Sequence, residues 1–284
     1  MTAVDIMLLW VVSSVLRTTG RVQQAEQITG RMLGVARRMD VNCDIGETSY
    51  PWHESHEPEL MGLITSANVA CGGHAGDEGS MHAVCQRAAH LGVTVGAQVS
   101  YPDRANFGRL HMNLDPVVLA DTLHHQFFAL NTVARLYGTT VSYIKPHGAL
   151  YNTIVRDTTH ANVVVGLARR HGVALFGLPN SATESLAAEH GVRFVREWFA
   201  DRGYLSSGEL APRSRPDALV TDQMMVESRV VQLIRDGVVE CVDGASIRVE
   251  CETICVHSDT PGAAYLLRAV REALTNERVI VSAA

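Results

Sequence analysis

Several signatures that announce common enzyme sites are missing from this chain. It has no G-x-x-x-x-G-K-[ST], no G-x-G-x-x-G after a strand-like run and no G-x-S-x-G. Any nucleotide site would therefore be non-standard, and an ordinary serine hydrolase is disfavoured. Neither H-x-H nor H-E-x-x-H occurs. The six cysteines (Cys43, Cys71, Cys85, Cys241, Cys251, Cys255) include no C-x-x-C pair. Several sit in apolar runs, as free buried thiols do in a reducing compartment, so the expectation is a cytoplasmic protein with unpaired, structural cysteines. No apolar run approaches the roughly 20 residues that span a bilayer. The net charge is −6 and no Lys/Arg stripe is present, which argues against nucleic acid and membrane as partners.

What remains is a globular chain. Its 284 residues are 46% hydrophobic and 19% charged, which excludes disorder as the main state and fits either two domains or one α/β barrel of roughly 250 residues. Residues 1–38 stand apart. IMLLWVVSSVL at 6–16 lacks a cleavage site, and an Arg-rich stretch follows. We read this extension as a misassigned start, with an appended helix or a targeting segment as alternatives.

From Met39, short β-prone runs alternate with amphipathic stretches. Strands are expected near 40–43, 66–70, 94–97, 141–144, 174–177, 193–197 and 253–257. Helices are expected near 79–91, 116–137, 159–171, 182–190, 222–236 and 261–275. Asp115-Pro116 and Asp222 mark helix starts, and Gly92, Gly138, Gly172 and Gly237 follow helix ends. Asp243-Gly244 predicts a hairpin within 238–249. Alternating strands and helices imply a parallel sheet. Polar residues follow nearly every strand, whereas an open doubly wound sheet would gather only those at its switch point. The fold predicted for 39–284 is therefore a TIM-like (β/α) barrel of about seven units, with its site at the strand C-terminal ends.

Those strand ends supply the candidates. Asp44 and Glu47 follow a buried strand, where a carboxylate needs a partner, so each reads as metal ligand, base or anchor, or for Asp44 as a helix cap. In CGGHAGD the glycines allow close approach of a ligand to His74, and Asp77 reads as a cap. KPHGALYN puts Lys145, a fixed cation for carboxylate or phosphate, two residues before His147; the alternative for Lys145 is an ion pair with Asp44, Asp201 or Asp259. Arg202 suits an anion clamp and Asp201 a proton carrier, with a surface pair as the plainer reading. His257 and Asp259 share that ambiguity, and Thr260-Pro261 suggests a helix cap. Asp44, His74 and His147 suffice for a divalent metal. Trp52, His53 and His56 read as a solvated loop rather than a lid.

Seven ordered segments, DVNCDIGE (40–47), SANVACGGHAGD (66–77), SYPD (100–103), FGR (107–109), YIKPHGALYN (143–152), FADRGY (199–204) and TICVHSDTPGA (253–263), closely resemble the A-subunit family of 5-oxoprolinase, also called the LamB/YcsF lactam-utilisation family. The resemblance implies a barrel similar to deacetylases and glycoside hydrolases. It also implies ATP-dependent cleavage of 5-oxo-L-proline to L-glutamate with ADP and phosphate, with Mg2+ beside ATP and with partner subunits B and C. Under it Asp44, His74, Lys145 and His147 are the catalytic candidates. Asn42, Glu47, Asn68, Tyr101 and Arg109, with Asn152, Asp201, Arg202, His257 and Asp259, are expected to bind substrate. The chain departs from the family pattern at Gly73 (commonly Phe), Glu78 (Pro), Ser49-Tyr50 (Phe-Gly), Ser258 (Gly) and Gln98, where many members carry His. Gln cannot take up a proton or ligate as imidazole does.

Overall fold

A computed structural model describes residues 37–48 and 51–284; the reading of residues 1–36 and of Ser49-Tyr50 lies outside it. The elements run β1 (Arg38–Ile45), α1 (Glu57–Leu60), β2 (Ser66–Ala70), α2 (Glu78–Leu91), β3 (Thr94–Gln98), α3 (Pro116–Leu136), β4 (Val141–Ile144), α4 (Gly148–Thr153) and α5 (Thr158–His171). They continue as β5 (Ala174–Gly177), α6 (Ala182–Glu189), β6 (Phe194–Phe199), α7 (Gln223–Asp236), β7 (Val238–Glu240), β8 (Ser246–Arg248), β9 (Thr253–Val256), α8 (Ala263–Asn276) and β10 (Ile280–Val281). The parallel order β1-β2-β3-β4-β5-β6-β9 closes because β9 also pairs with β1, through Asp40↔Thr253 to Cys43↔Val256. The result is a closed seven-stranded barrel. β10 adds two residues beside β1, and β7 and β8 form the expected hairpin.

The helices begin and end where local chemistry dictates. Asp77, Asp115, Asp157, Ser181 and Asp222 each accept a backbone N–H in the first turn of the helix they precede. Gly92, Gly172 and Gly237 cap in the left-handed conformation. The last helix departs from expectation. It starts at Ala263 behind Gly262, because the Thr260 hydroxyl is spent on Asp201 (2.6 Å) instead.

Side chains alternate between the two faces of each strand. On β1, Val41, Cys43 and Ile45 join the apolar core, while Asp40, Asn42 and Asp44 are buried polar residues. This barrel has a polar interior. Asp40 is tied to Ser66 and Thr253, Asn42 to Asn68, and Asn68 to Asp44, so hydrogen bonds climb the inside of the barrel from Asp40 to Asp44.

Candidate active site

At the top of that interior, Lys145 extends from the end of β4. Its Nζ lies 2.8 Å from Glu197 Oε1 and 3.4 Å from Asp44 Oδ1, and it donates to Asn42 Oδ1 (3.1 Å) and Cys255 Sγ (3.0 Å). Burial lowers the affinity of the ammonium for its proton, but the Asp44 and Glu197 carboxylates outweigh it and hold Lys145 well above its ordinary value. Burial raises the Asp44 carboxyl, but the Lys145 ammonium and the hydrogen bond from Asn68 outweigh it and keep Asp44 well below the usual range. A buried ammonium with two carboxylates persists only when all three charges are present.

Beside it, Asp201 accepts from His257 Nδ1 (3.0 Å), His257 N (3.1 Å) and Thr260 Oγ1 (2.6 Å). Burial raises its pKa, yet these bonds and the nearby imidazole bring it down to about 2. Phe199 stacks on the His257 ring at 5.0 Å and 14°. Asp44, Lys145, His147 and His257 face one cavity of about 470 Å³, whose wall also carries Arg109, Arg156, Arg202 and Arg213. Arg109 and Arg213 both reach Asp259, the latter at 3.6 Å. The cavity therefore combines a fixed cation at its floor with guanidinium groups toward its mouth, a setting for a small anionic ligand.

A second group lies behind His147. Glu47 Oε1 is 3.1 Å from His74 Nε2, 3.4 Å from His147 Nδ1 and 3.0 Å from Gln98 Nε2, while Glu47 Oε2 accepts from Ser258 Oγ (3.0 Å). The far nitrogens are also engaged: His74 Nδ1 with Ser100 Oγ (3.1 Å) and His147 Nε2 with the Phe107 carbonyl (3.0 Å). Burial and the neighbouring His74 push His147 well below its ordinary value. Glu47, His74 and His147 offer ligand atoms within 4.8 Å of one another, so the donor set suits a divalent cation. The two imidazoles, however, are stacked 3.7 Å apart and 5° from parallel. Their in-plane lone pairs then run side by side, and a ring would have to turn for both to meet one ion. Gly108 crosses directly above: a Cβ there would stand 2.7 Å from His74 Cβ, and its φ of +67° suits glycine.

A model of the LamB/YcsF family matches residues 39–284. The chain belongs to this family. Among curated relatives, the A subunit of 5-oxoprolinase from Kocuria rhizophila is 46% identical over 245 residues, 86% of this chain and 97% of that one. The Streptomyces griseus protein of the same name is 47% identical over 247 residues, 86% and 99% of the two chains. The crystal structure of a lactam utilization protein from Thermus thermophilus superposes with a TM-score of 0.81 at 36% identity, covering 87% of this chain and all of that one. A solved protein of Enterococcus faecalis, 10% identical with a TM-score of 0.55 over 87% of this chain and 97% of that one, shares the fold alone.

Within this LamB/YcsF chain all the sequence-derived site residues but Tyr101 lie in or around this cavity. Asp44, Lys145, His147, Arg109, Asn152, Arg202 and His257 line the cavity. Asn42 and Asn68 lie beneath it and hold Lys145 and Asp44. Glu47 and His74 stand behind it, Asp201 backs His257, and Asp259 pairs with the rim arginines. Tyr101 is elsewhere: it is fully buried, its hydroxyl 2.6 Å from His160 Nδ1. Arg202, expected as an anion clamp, donates to the Ala218 and Ala211 carbonyls and so ties down the loop after β6. Glu47, not Asp44, joins the two histidines, because Lys145 claims Asp44.

The loop holding Trp52 is not simply solvated. Trp52 is buried and its indole donates to Glu57 (2.5 Å), while His53 and His56 are both exposed, although His56 reaches the Ser258 carbonyl (3.0 Å). Sequence reasoning missed Glu197, whose signal was a carboxylate inside the apolar strand FVREWF, and Arg213. Two departures from the family pattern, Gln98 and Ser258, both donate to Glu47. Gly73 is closed off: a Cβ there would lie 2.4 Å from Ser100 Oγ and 2.6 Å from Gln126 Oε1.

Proposed function

We propose that this chain is the A subunit of an ATP-dependent 5-oxoprolinase, which with partner subunits B and C opens 5-oxo-L-proline to L-glutamate, and that residues 39–284 are its catalytic unit. The observation that carries the reading is the buried Lys145 ammonium, flanked by Asp44 and Glu197, at the floor of a cavity with an arginine-lined mouth. A five-membered lactam bearing a carboxylate is a small anion with an unreactive amide. Its ring opening needs a cation near the charge that develops on the carbonyl oxygen and a base for water. Lys145 supplies the first at a place water cannot screen, and Asp44 keeps it protonated. Arg109 and Arg213 are suited to the substrate carboxylate. ATP with Mg2+ enters through the assembled complex. The reading places this work in the cytoplasm, a setting in keeping with six free, buried cysteines. No helix among the described residues is long and apolar enough to cross a membrane.

A second reading, a cation-dependent barrel hydrolase acting without ATP, is favoured by the Glu47, His74 and His147 group. Cells separate the two. With 5-oxoproline as sole nitrogen source, loss of this chain should stop growth and accumulate the lactam, and the full chain but not its Asp44→Asn form should restore growth. Unimpaired growth without the chain would reject the 5-oxoprolinase reading.

A further inference from the structure

One imidazole at the barrel mouth is arranged to move a proton. His257 Nδ1 lies 3.0 Å and 3.1 Å from the two oxygens of Asp201. An ionised carboxylate only accepts, so Nδ1 carries the hydrogen, and in the neutral ring Nε2 is left with a lone pair. Among the described residues no protein atom bonds Nε2, and His257 lines the cavity that holds Lys145. The other histidines near the strand ends are not free in this way. His147 is engaged at Nδ1 by Gln98 (2.9 Å) and at Nε2 by Phe107, and His74 at Nδ1 by Ser100 and at Nε2 by Glu47. His160 is held by Tyr101 and by the Leu114 carbonyl (3.0 Å). Asp201 is fully buried and Phe199 stacks on the ring, so both tautomer and ring plane are set before substrate arrives.

We propose that His257 carries the proton during lactam opening and that Asp201 is its positioning residue. The assignment rests on the 5-oxoprolinase reading. Nε2 takes one proton from a water as that water's oxygen bonds to the lactam carbonyl carbon. It then delivers the proton to the ring nitrogen as the carbon–nitrogen bond breaks. The remaining hydroxyl stays on carbon, so one water is consumed and an amine and a carboxyl group are formed. The ATP turned over by the complex consumes a second water as its terminal phosphoryl group leaves as phosphate, and the complex couples that reaction to this one. His257 thus serves as base and then acid, the exchange that an Asp-oriented imidazole performs in hydrolases.

The test uses the full chain assembled with both partner subunits, following glutamate from 5-oxoproline and ATP. His257→Gln should lower kcat by about 100- to 10,000-fold with KM within about threefold of wild type. Asp201→Asn should lower kcat in the same pattern, because an amide no longer enforces the tautomer. Adding imidazole to His257→Gly should restore part of the lost rate, which also shows that the variant is folded. Unchanged kcat in His257→Gln, a rise in KM alone, or a His257→Gly complex that assembles and ignores imidazole would overturn the assignment. Absence of glutamate from the wild-type complex would instead reject the 5-oxoprolinase reading.

Discussion

Gln98 Nε2 lies 2.9 Å from His147 Nδ1 and 3.0 Å from Glu47 Oε1, so one neutral amide donates to both. His147 gives its Nε2 hydrogen to the Phe107 carbonyl, which leaves Nδ1 as an acceptor that needs this donor. Gln98→Leu strands two buried acceptors and should lower unfolding free energy by roughly 1–3 kcal/mol in urea titrations. Gln98→His, with one N–H able to serve only one of the two, should cost less than Leu. A Leu variant as stable as wild type would contradict this network.

Lys145 and its two carboxylates should behave as a unit. Lys145→Met leaves Asp44 and Glu197 buried without their cation, a loss on the order of 3–5 kcal/mol. Adding Asp44→Asn and Glu197→Gln to the same chain should recover most of that loss, since the uncompensated charges go with it. Urea denaturation of the single and triple variants measures the difference, and additive losses would count against the coupling.

Acid should destabilise the protein in two windows. His147 is held below its ordinary 6.5 by burial and His74. The unfolded chain therefore binds the proton first, and stability falls as pH drops below about 6.5. Asp201, at about 2 when folded against an ordinary 3.8, contributes stability that is present above about pH 4 and lost as pH falls toward 2, on the order of 2 kcal/mol. Asp40 and Glu57, raised by burial, act in the opposite sense, so the reading is the difference between variants. The slope of unfolding free energy against pH between about 4 and 2 should flatten in Asp201→Asn, and an unchanged slope would refute the assignment.

Gly108→Ala places a methyl group 2.7 Å from His74 Cβ at a φ of +67°. It should destabilise by more than about 1 kcal/mol and displace both imidazoles, visible as shifts of the His74 and His147 ring signals in NMR spectra. An alanine variant with wild-type stability and unshifted rings would show that the close approach is not real.

Strands 66–70, 141–144 and 174–177 have the same bounds in the sequence reading and in the structure, because each is a short β-prone run bounded by turn or cap chemistry. The strand-end argument likewise gathered Asp44, Lys145, His147 and His257 around one cavity. What sequence could not show was pairing across the barrel. Lys145 meets Glu197 because β4 and β6 both project into the interior, and no spacing along the chain encodes that. Tyr101 sits in a motif, yet its hydroxyl is turned to His160 on α5, a contact only packing decides. The six-residue α4 was hidden inside KPHGALYN, too short to show helical periodicity.

The most direct measurement is glutamate release from 5-oxo-L-proline with ATP and Mg2+ by the full chain and its two partner subunits, with each protein omitted in turn. The account predicts glutamate and ADP in equal amounts only when this chain is present with both partners. Glutamate formed equally fast without the chain, or none from all three proteins folded and associated, would contradict it.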